Sequence, residues 1–466
     1  MSFLEKYYLL SLMHTSKQMH ELGLPVLLGS PLVLWPWASR SFSEFLNTDI
    51  SRYAPLLRDI RLPYIQQERE VREAVSDLNP LQVMKHATNL RSLRVMKSET
   101  VCKACPKFAS GLRSLPNLRQ LWFGDLHHSI YKELARGTWP LTHLYLKWDN
   151  IGREYDLASL FKRFAQTLEL IDVDFVDFTE LKDVVFPRMR VVCVDHLQVD
   201  DWVETRDLVR EFPNLRTFHV KYDHDEVHPE DCEEQRAMNE LDPGQTYHWK
   251  DLDDITVSYN ILYSLNIHTS TRCLLPEPPY DDVEFDPMVL INCRPKALMA
   301  VLNVEFLRHL PAVWPQCPQI AHLYYHVRLN DDFEYEAGTD NLKSLMEEFL
   351  DAHKTASCPD LRLVFKFAQG SKYDWDNIFE SRNIGVKDAA GFAQKLVDAM
   401  PSLRTIEIQG YRHSFIFCPD SWMGKVINTD EGRKVVEAKF ERSDVFKPGP
   451  ECNEWGHGWY CISPET

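Results

Sequence analysis

The chain has 466 residues, 44% hydrophobic and 12% aromatic, with 52 basic against 69 acidic residues and a net charge of −17. That composition excludes a disordered chain, and the length exceeds the roughly 250–300 residues at which one compact core stops growing, so several domains or an elongated repeat array is expected. The acidic balance leaves no basic footprint to displace counterions from phosphates, which sets aside nucleic acid and anionic membrane surfaces as partners.

Residues 1–62 read as a helical segment and linker. Leu9, Leu12, Ser16, Lys17, Met19, Leu22, Pro25 and Leu27 mark an amphipathic run. The apolar stretch from Leu24 to Ala38 is interrupted by Pro25, Gly29, Ser30, Pro31 and Pro36. It is shorter than the ~20 residues a membrane span needs, and Glu5, Lys6, His14 and Lys17 do not suit a signal peptide.

From residue 63 to 412 one phrase recurs: Pro or a polar residue, a spacer, an apolar residue, a polar residue, then apolar alternation. It appears as Asn89-Leu90-Arg91-Ser92-Leu93-Arg94-Val95, as Pro116-Asn117-Leu118-Arg119-Gln120-Leu121-Trp122, and as Pro140-Leu141-Thr142-His143-Leu144-Tyr145. Thr167-Leu168, Pro187-Arg188-Met189 and Pro213-Asn214-Leu215 continue it, and Pro318-Gln319-Ile320, Pro359-Asp360-Leu361 and Pro401-Ser402-Leu403 follow later. The steps from Leu90 are 28 residues to Leu118, then 23, 27, 21 and 26 to Leu215. Alternation after each phrase predicts a short strand with one buried face.

Between phrases the period becomes helical. Leu157, Leu160, Phe161 and Phe164 stand behind Asp156, a good N-cap, and Leu342, Leu345, Met346, Phe349 and Leu350 repeat the pattern. Strand then helix, repeated, predicts an α/β solenoid with parallel strands on the concave side and helices on the convex side. The 105 residues from Leu215 to Ile320 hold no clean phrase; Asp251–Val257 and Ala297–Val304 read as degenerate copies. The steps of 41 and 42 residues from Ile320 to Leu361 and on to Leu403 read as long repeats with insertions, and a separate α/β domain is the alternative.

Four constellations could carry chemistry. Cys102-Lys103-Ala104-Cys105 lacks the second ligand pair a zinc site needs and reads as two thiols. Residues 223–242 form an acidic insertion holding His224, His228 and Cys232; it reads as solvated, with adventitious divalent-ion binding as the other reading. Asp172 and Asp174 lie two apart on a strand and so on one face, where a solvated or partner-facing pair is commoner than an acid–base pair. Residues 413–466 read as an extension packing on the last repeat, and Cys452, His457 and Cys461 within it lack a fourth ligand. No phosphate-cradling glycine loop or nucleophile elbow occurs. Neither a cofactor, a metal nor a catalytic residue is therefore expected. Eleven scattered cysteines suit reduced thiols in the cytoplasm or nucleus.

The phrase and its spacing resemble leucine-rich repeats, which run about 20–29 residues with an L-x-x-L-x-L lead. The run from Leu9 to Leu28 resembles the later helices of an F-box; that family's first helix, opening on Leu-Pro and an acidic residue, has no counterpart ahead of Leu9. The pairing resembles the F-box repeat proteins of filamentous and mushroom-forming fungi. The resemblance implies a substrate receptor of a cullin-RING ubiquitin ligase in ubiquitin-dependent protein degradation. Leu9, Leu12, Ser16, Lys17, Met19, Leu22, Pro25 and Leu27 would then dock the ligase adaptor. A plain helical cap over the first repeat, on an interaction scaffold without a ligase link, is the alternative. On either reading a protein partner is expected on the concave strand face at Arg94, Trp122, His143, Tyr145, Asp172, His219, Tyr324 and Glu407, with Trp, Tyr and Arg as exposed anchors.

Overall fold

The computed structural model describes residues 6–62, 67–148, 155–197, 204–222, 229–240, 248–277, 285–302, 304–329, 342–367, 389–412, 420–429 and 432–437. It is an α/β protein of two compact units, one comprising Met1–Asp201 and Arg210–Leu215, the other Trp202–Val209 and Arg216–Thr466.

In the first unit, strands β1 (Leu32–Val33), β2 (Asp59–Leu62), β3 (Ser92–Val95), β4 (Gln120–Phe123), β5 (His143–Leu146), β6 (Leu170–Phe175) and β7 (Val191–Leu197) follow one another in chain order. Each is parallel to the next. Parallel neighbours require a crossover, and helices such as His128–Leu134 and Leu157–Phe164 supply it. The second of these begins where its sequence says it should: Asp156 accepts from the Ser159 N–H at 2.8 Å, and Leu157, Leu160, Phe161 and Phe164 are buried.

The recurring phrase has a physical basis at each position. The Asn that precedes the phrase Leu reaches back one repeat. Asn89 Nδ2 donates to the Pro55 carbonyl at 2.8 Å, Asn117 Nδ2 to Thr88 at 2.9 Å and Asn214 Nδ2 to Pro187 at 2.8 Å. The Leu that follows enters the core, as Leu90, Leu118 and Leu215 do. One carbonyl then accepts two N–H groups from the next repeat: Arg91 from Arg119 and Gln120, Arg119 from Thr142 and His143, Thr142 from Glu169 and Leu170. This shared acceptor sets the strand register at each of these steps. Close approach also demands a glycine after β4, because a Cβ at Gly124 would lie 2.4 Å from the Met96 carbonyl oxygen. We expect Asn117→Ala to destabilise the chain by about 1 kcal/mol, the net worth of one such hydrogen bond. A urea midpoint unchanged from the parent would contradict this.

In the second unit β8 (Thr217–Tyr222), β9 (Asp251–Ser258), β10 (Ser270–Glu277), β11 (Pro295–Val301), β12 (His322–Leu329), β13 (Asp360–Phe367) and β14 (Thr405–Arg412) are again parallel in chain order. The segment without a clean phrase thus contributes β9, β10 and β11. Helices Tyr259–Leu265, Pro287–Cys293, Val304–Val313, Leu342–His353 and Ala389–Ala399 provide crossovers. After residue 412 the pattern changes: β15 (Asp420–Thr429) pairs antiparallel with β14, and β16 (Gly432–Glu437) antiparallel with β15.

Residues 1–62 are not only helical. Helices Lys6–Met13, Lys17–Gly29 and Pro36–Thr48 share the segment with β1 and β2, so the parallel run begins before residue 63. Pro25 lies inside the second helix, and Pro36 opens the third, where its missing N–H costs nothing.

Candidate functional site

Strand register gathers the expected face residues of the first unit into one row. Arg61 pairs with Arg94, Arg94 with Trp122, Trp122 with Tyr145, Tyr145 with Asp172 and Asp172 with Cys193. Their neighbours Leu93, Leu121, Leu144, Ile171 and Val192 point the other way, into the core. Parallel strands lie roughly 4.8 Å apart, so large side chains in register must stack. The Arg94 guanidinium lies 3.5 Å from the centre of the Trp122 ring, and the Trp122 and Tyr145 rings are 4.0 Å apart.

Two residues on from Tyr145, Lys147 continues the row into a charged knot. Its Nζ is 3.0 Å from Asp172, 3.3 Å from Asp174 and 2.5 Å from Asp195, and 5.3 Å from the Tyr145 ring. Burial would depress the Lys147 pKa, but Asp172, Asp195 and Asp174 together outweigh it and hold the ammonium charged. Asp174 is raised as well, for a different reason: burial raises it, and the Lys147 charge and the Trp148 N–H, 2.5 Å away, hold it back only in part. One cation shared among three carboxylates accounts for both shifts. Burial, with Asp172 next, also raises Tyr145 and keeps its hydroxyl protonated.

The anchors expected to be exposed are not. Trp122 is 4% exposed, Tyr145 9% and Asp172 1%. Alternation correctly assigns them to the face opposite the leucines, but in-register stacking covers each with its neighbours. Arg61 and Arg94, half-buried, are the accessible members of the row, and His143, two residues before Tyr145 on the same strand, is half-buried beside it. His143 Nδ1 sits 2.8 Å from Thr142 Oγ1.

The second unit carries a comparable row. His219 pairs with Thr256, Tyr324 with Arg362, and Arg362 with Glu407. The Arg362 guanidinium lies 4.7 Å from the Tyr324 ring centre, its Nε is 3.3 Å from Glu407, and its Nη2 donates to Gln409 Oε1 at 2.7 Å. Gln409 in turn donates to Glu407, and the Tyr324 ring meets His326 at 4.7 Å. Tyr324, like Trp122, is buried rather than exposed. Arg362, His326 and Gln409 were missed in the sequence. The signal for Arg362 is present: it follows Leu361 as Arg94 follows Leu93, one step past the first buried leucine of the strand. At the strand entrances His322 Nδ1 is 2.9 Å from Asp360, and Thr405 Oγ1 donates to the same carboxylate at 2.5 Å. Burial alone would raise Asp360; the hydrogen bonds from His322 and Thr405 lower it instead.

The eight N-terminal residues divide between core and surface. Leu9 is buried, and Leu12, Met19 and Leu27 are half-buried. Ser16 caps the second helix, accepting from the Met19 N–H at 3.1 Å. Lys17, Pro25 and Leu22 face outward, Leu22 being 53% exposed. Tyr8, Leu10, Trp35 and Trp37 are exposed apolar residues of the same segment that the sequence run did not single out, Trp37 to 80%.

The remaining constellations show no concentrated chemistry. Cys102 is buried, and burial pushes its thiol up to about 11 despite Ser129 at 3.7 Å, which leaves little thiolate. The described part of the acidic insertion is the helix Pro229–Glu240. It buries Cys232 and Gln235 and is tied by Arg236, 3.0 Å from Asp286 and 4.3 Å from the Tyr263 ring centre. His224, His228, Cys452, His457 and Cys461 lie outside the described residues. Among the described residues no group of three His, Cys, Asp or Glu could hold a metal ion, and no helix is long and apolar enough to cross a membrane. No family model matches the chain, and no curated protein matches it.

Proposed function

We propose that the chain is a non-enzymatic, protein-binding repeat protein of the leucine-rich type. On this reading it acts as an F-box-type substrate receptor of a cullin-RING ubiquitin ligase in the cytoplasm or nucleus. The N-terminal helices dock the adaptor, and the strand face holds a protein substrate. The observation that carries the reading is the row Arg94–Trp122–Tyr145, stacked in register on the face opposite the leucine core. Side chains already held by stacking lose little entropy when a partner arrives, which limits one of the costs of binding. The ionisable members of the row favour binding over catalysis: Lys147 is held charged and Tyr145 protonated, so neither exchanges a proton near neutral pH. Exposed Leu22 and Trp37 give the N-terminal segment apolar contacts for an adaptor. Without adaptor binding the reading reduces to an interaction scaffold.

A photo-crosslinking residue at position 94 or 143 tests the face, with position 132, exposed on the helix His128–Leu134, as the control. Adducts with a partner protein are expected from 94 and 143 and not from 132. Equal labelling from all three would overturn the assignment.

A further inference from the structure

The helix Leu342–His353 ends on a histidine that is fully buried. Its Nδ1 is 2.8 Å from the Phe349 carbonyl oxygen, an acceptor only, so Nδ1 carries the proton. Nε2 is then the lone-pair nitrogen, and the Tyr325 hydroxyl donates to it at 2.9 Å. The ring stacks on Phe349 at 4.1 Å and meets Trp314 at 5.2 Å. Trp314 Nε1 also donates to the Ala352 carbonyl at 2.7 Å. Three elements therefore converge on the neutral imidazole: its own helix, strand β12 through Tyr325, and the end of the helix Val304–Val313 through Trp314. Tyr325 continues an aromatic line to Phe306, Phe285 and Tyr259, so the histidine terminates a chain of rings through the second unit.

Among the described residues, the groups around it provide no counter-charge. From β12 comes Tyr325, kept protonated by burial, and from the turn before β13 comes Cys358, whose thiol burial pushes up to about 12. On its own helix Glu347 and Asp351 are exposed and Glu348 leans toward Arg308 at 3.9 Å. On the adjoining helix Ala389–Ala399, Lys395 and Asp398 are exposed. A proton added at Nε2 would force the Tyr325 hydroxyl to turn from donor to acceptor and would leave a cation in an apolar pocket.

We infer that His353 is an acid-operated latch: neutral, it fastens the helix Leu342–His353 to strand β12, and protonated, it releases that seam. Tyr324 and Tyr325 are consecutive on β12 and point to opposite faces, so opening the core side loosens the Tyr324–Arg362–Glu407 row on the other.

The direction and window follow from linkage. Burial lowers His353 to about 4 in the folded chain, against roughly 6.5 when unfolded. The unfolded or opened chain therefore takes the proton first. Stability is complete above about pH 6.5, falls as pH drops and levels off below the folded value. The closed-to-open ratio should fall about 30-fold between pH 8 and pH 5.

Trp314 is the reporter, because a protonated imidazole quenches an adjacent indole. The chain has twelve tryptophans, so its signal is the difference between parent and Trp314→Phe emission, followed from pH 8 to 4. A transition below pH 6.5 is expected in the parent and none in His353→Gln, whose amide has a donor for the Phe349 carbonyl and an acceptor for the Tyr325 hydroxyl and does not titrate. Tyr325→Phe removes the donor that stabilises the neutral ring and should move the transition to higher pH. This variant decides the matter if His353→Gln fails to fold. Coincident traces for parent and His353→Gln, or an unmoved midpoint in Tyr325→Phe, would overturn the inference.

Discussion

Lys147→Met is expected to destabilise the first unit by about 3 kcal/mol at pH 7, the lower end of what removing one partner from a buried ion pair costs. The substitution keeps most of the apolar stem and removes the ammonium that lies 3.0, 3.3 and 2.5 Å from Asp172, Asp174 and Asp195. Burial already raises Asp174, and Lys147 is one of the groups restraining it. Without that charge its folded-state pKa rises further above the unfolded value. The folded variant then binds a proton more readily than the unfolded chain, so its deficit shrinks as pH falls. Urea midpoints of parent and variant at pH 7.5 and 5 check both parts. A variant equal to the parent at pH 7.5, or one losing more in acid, would show that the knot does not bear on stability.

Trp122→Ala should cost about 3–5 kcal/mol, the range for deleting a large buried aromatic side chain. It removes the surface on which Arg94 lies and the partner of the Tyr145 ring. Part of this loss is shared with Arg94. A double-mutant cycle over Arg94→Ala and Trp122→Ala should return a coupling of about 0.5–2 kcal/mol, the worth of a partly desolvated cation–π contact. Strict additivity would mean that the stack is geometric only. It would also remove the ground for treating the row as pre-ordered.

The parts of the fold legible in the sequence are those where one residue type has one task. Pro-Asn-Leu was readable at 116–118 and 213–215 because the amide bridges to the previous turn and the leucine fills the core. The helix after Asp156 was readable because cap and apolar spacing coincide. β1 and β2 were not, since two to four residues between helices leave no room for alternation. β10 opens on Ser270-Thr271-Arg272, without a phrase. The helices on either side of it end on left-handed Asn266 and Arg294, where glycine would have marked the boundary. The candidate face was legible in part of its membership, Arg362, His326 and Gln409 being missed, and not in exposure. Alternation tells which side of a strand a residue takes, whereas the stacking of Arg94, Trp122 and Tyr145 depends on which strand lies beside which. Arg362 shows the same limit, because its partners Tyr324, Glu407 and Gln409 come from strands about forty residues away on either side.

The most direct test of the account is the affinity of the purified chain for the purified ubiquitin-ligase adaptor, measured beside Leu22→Asp. Leu22 is exposed, so that variant should fold as the parent does. The account predicts saturable binding by the parent and a loss of at least tenfold in the variant. No binding by the parent, or equal binding by both, would contradict the receptor reading at its N-terminal end.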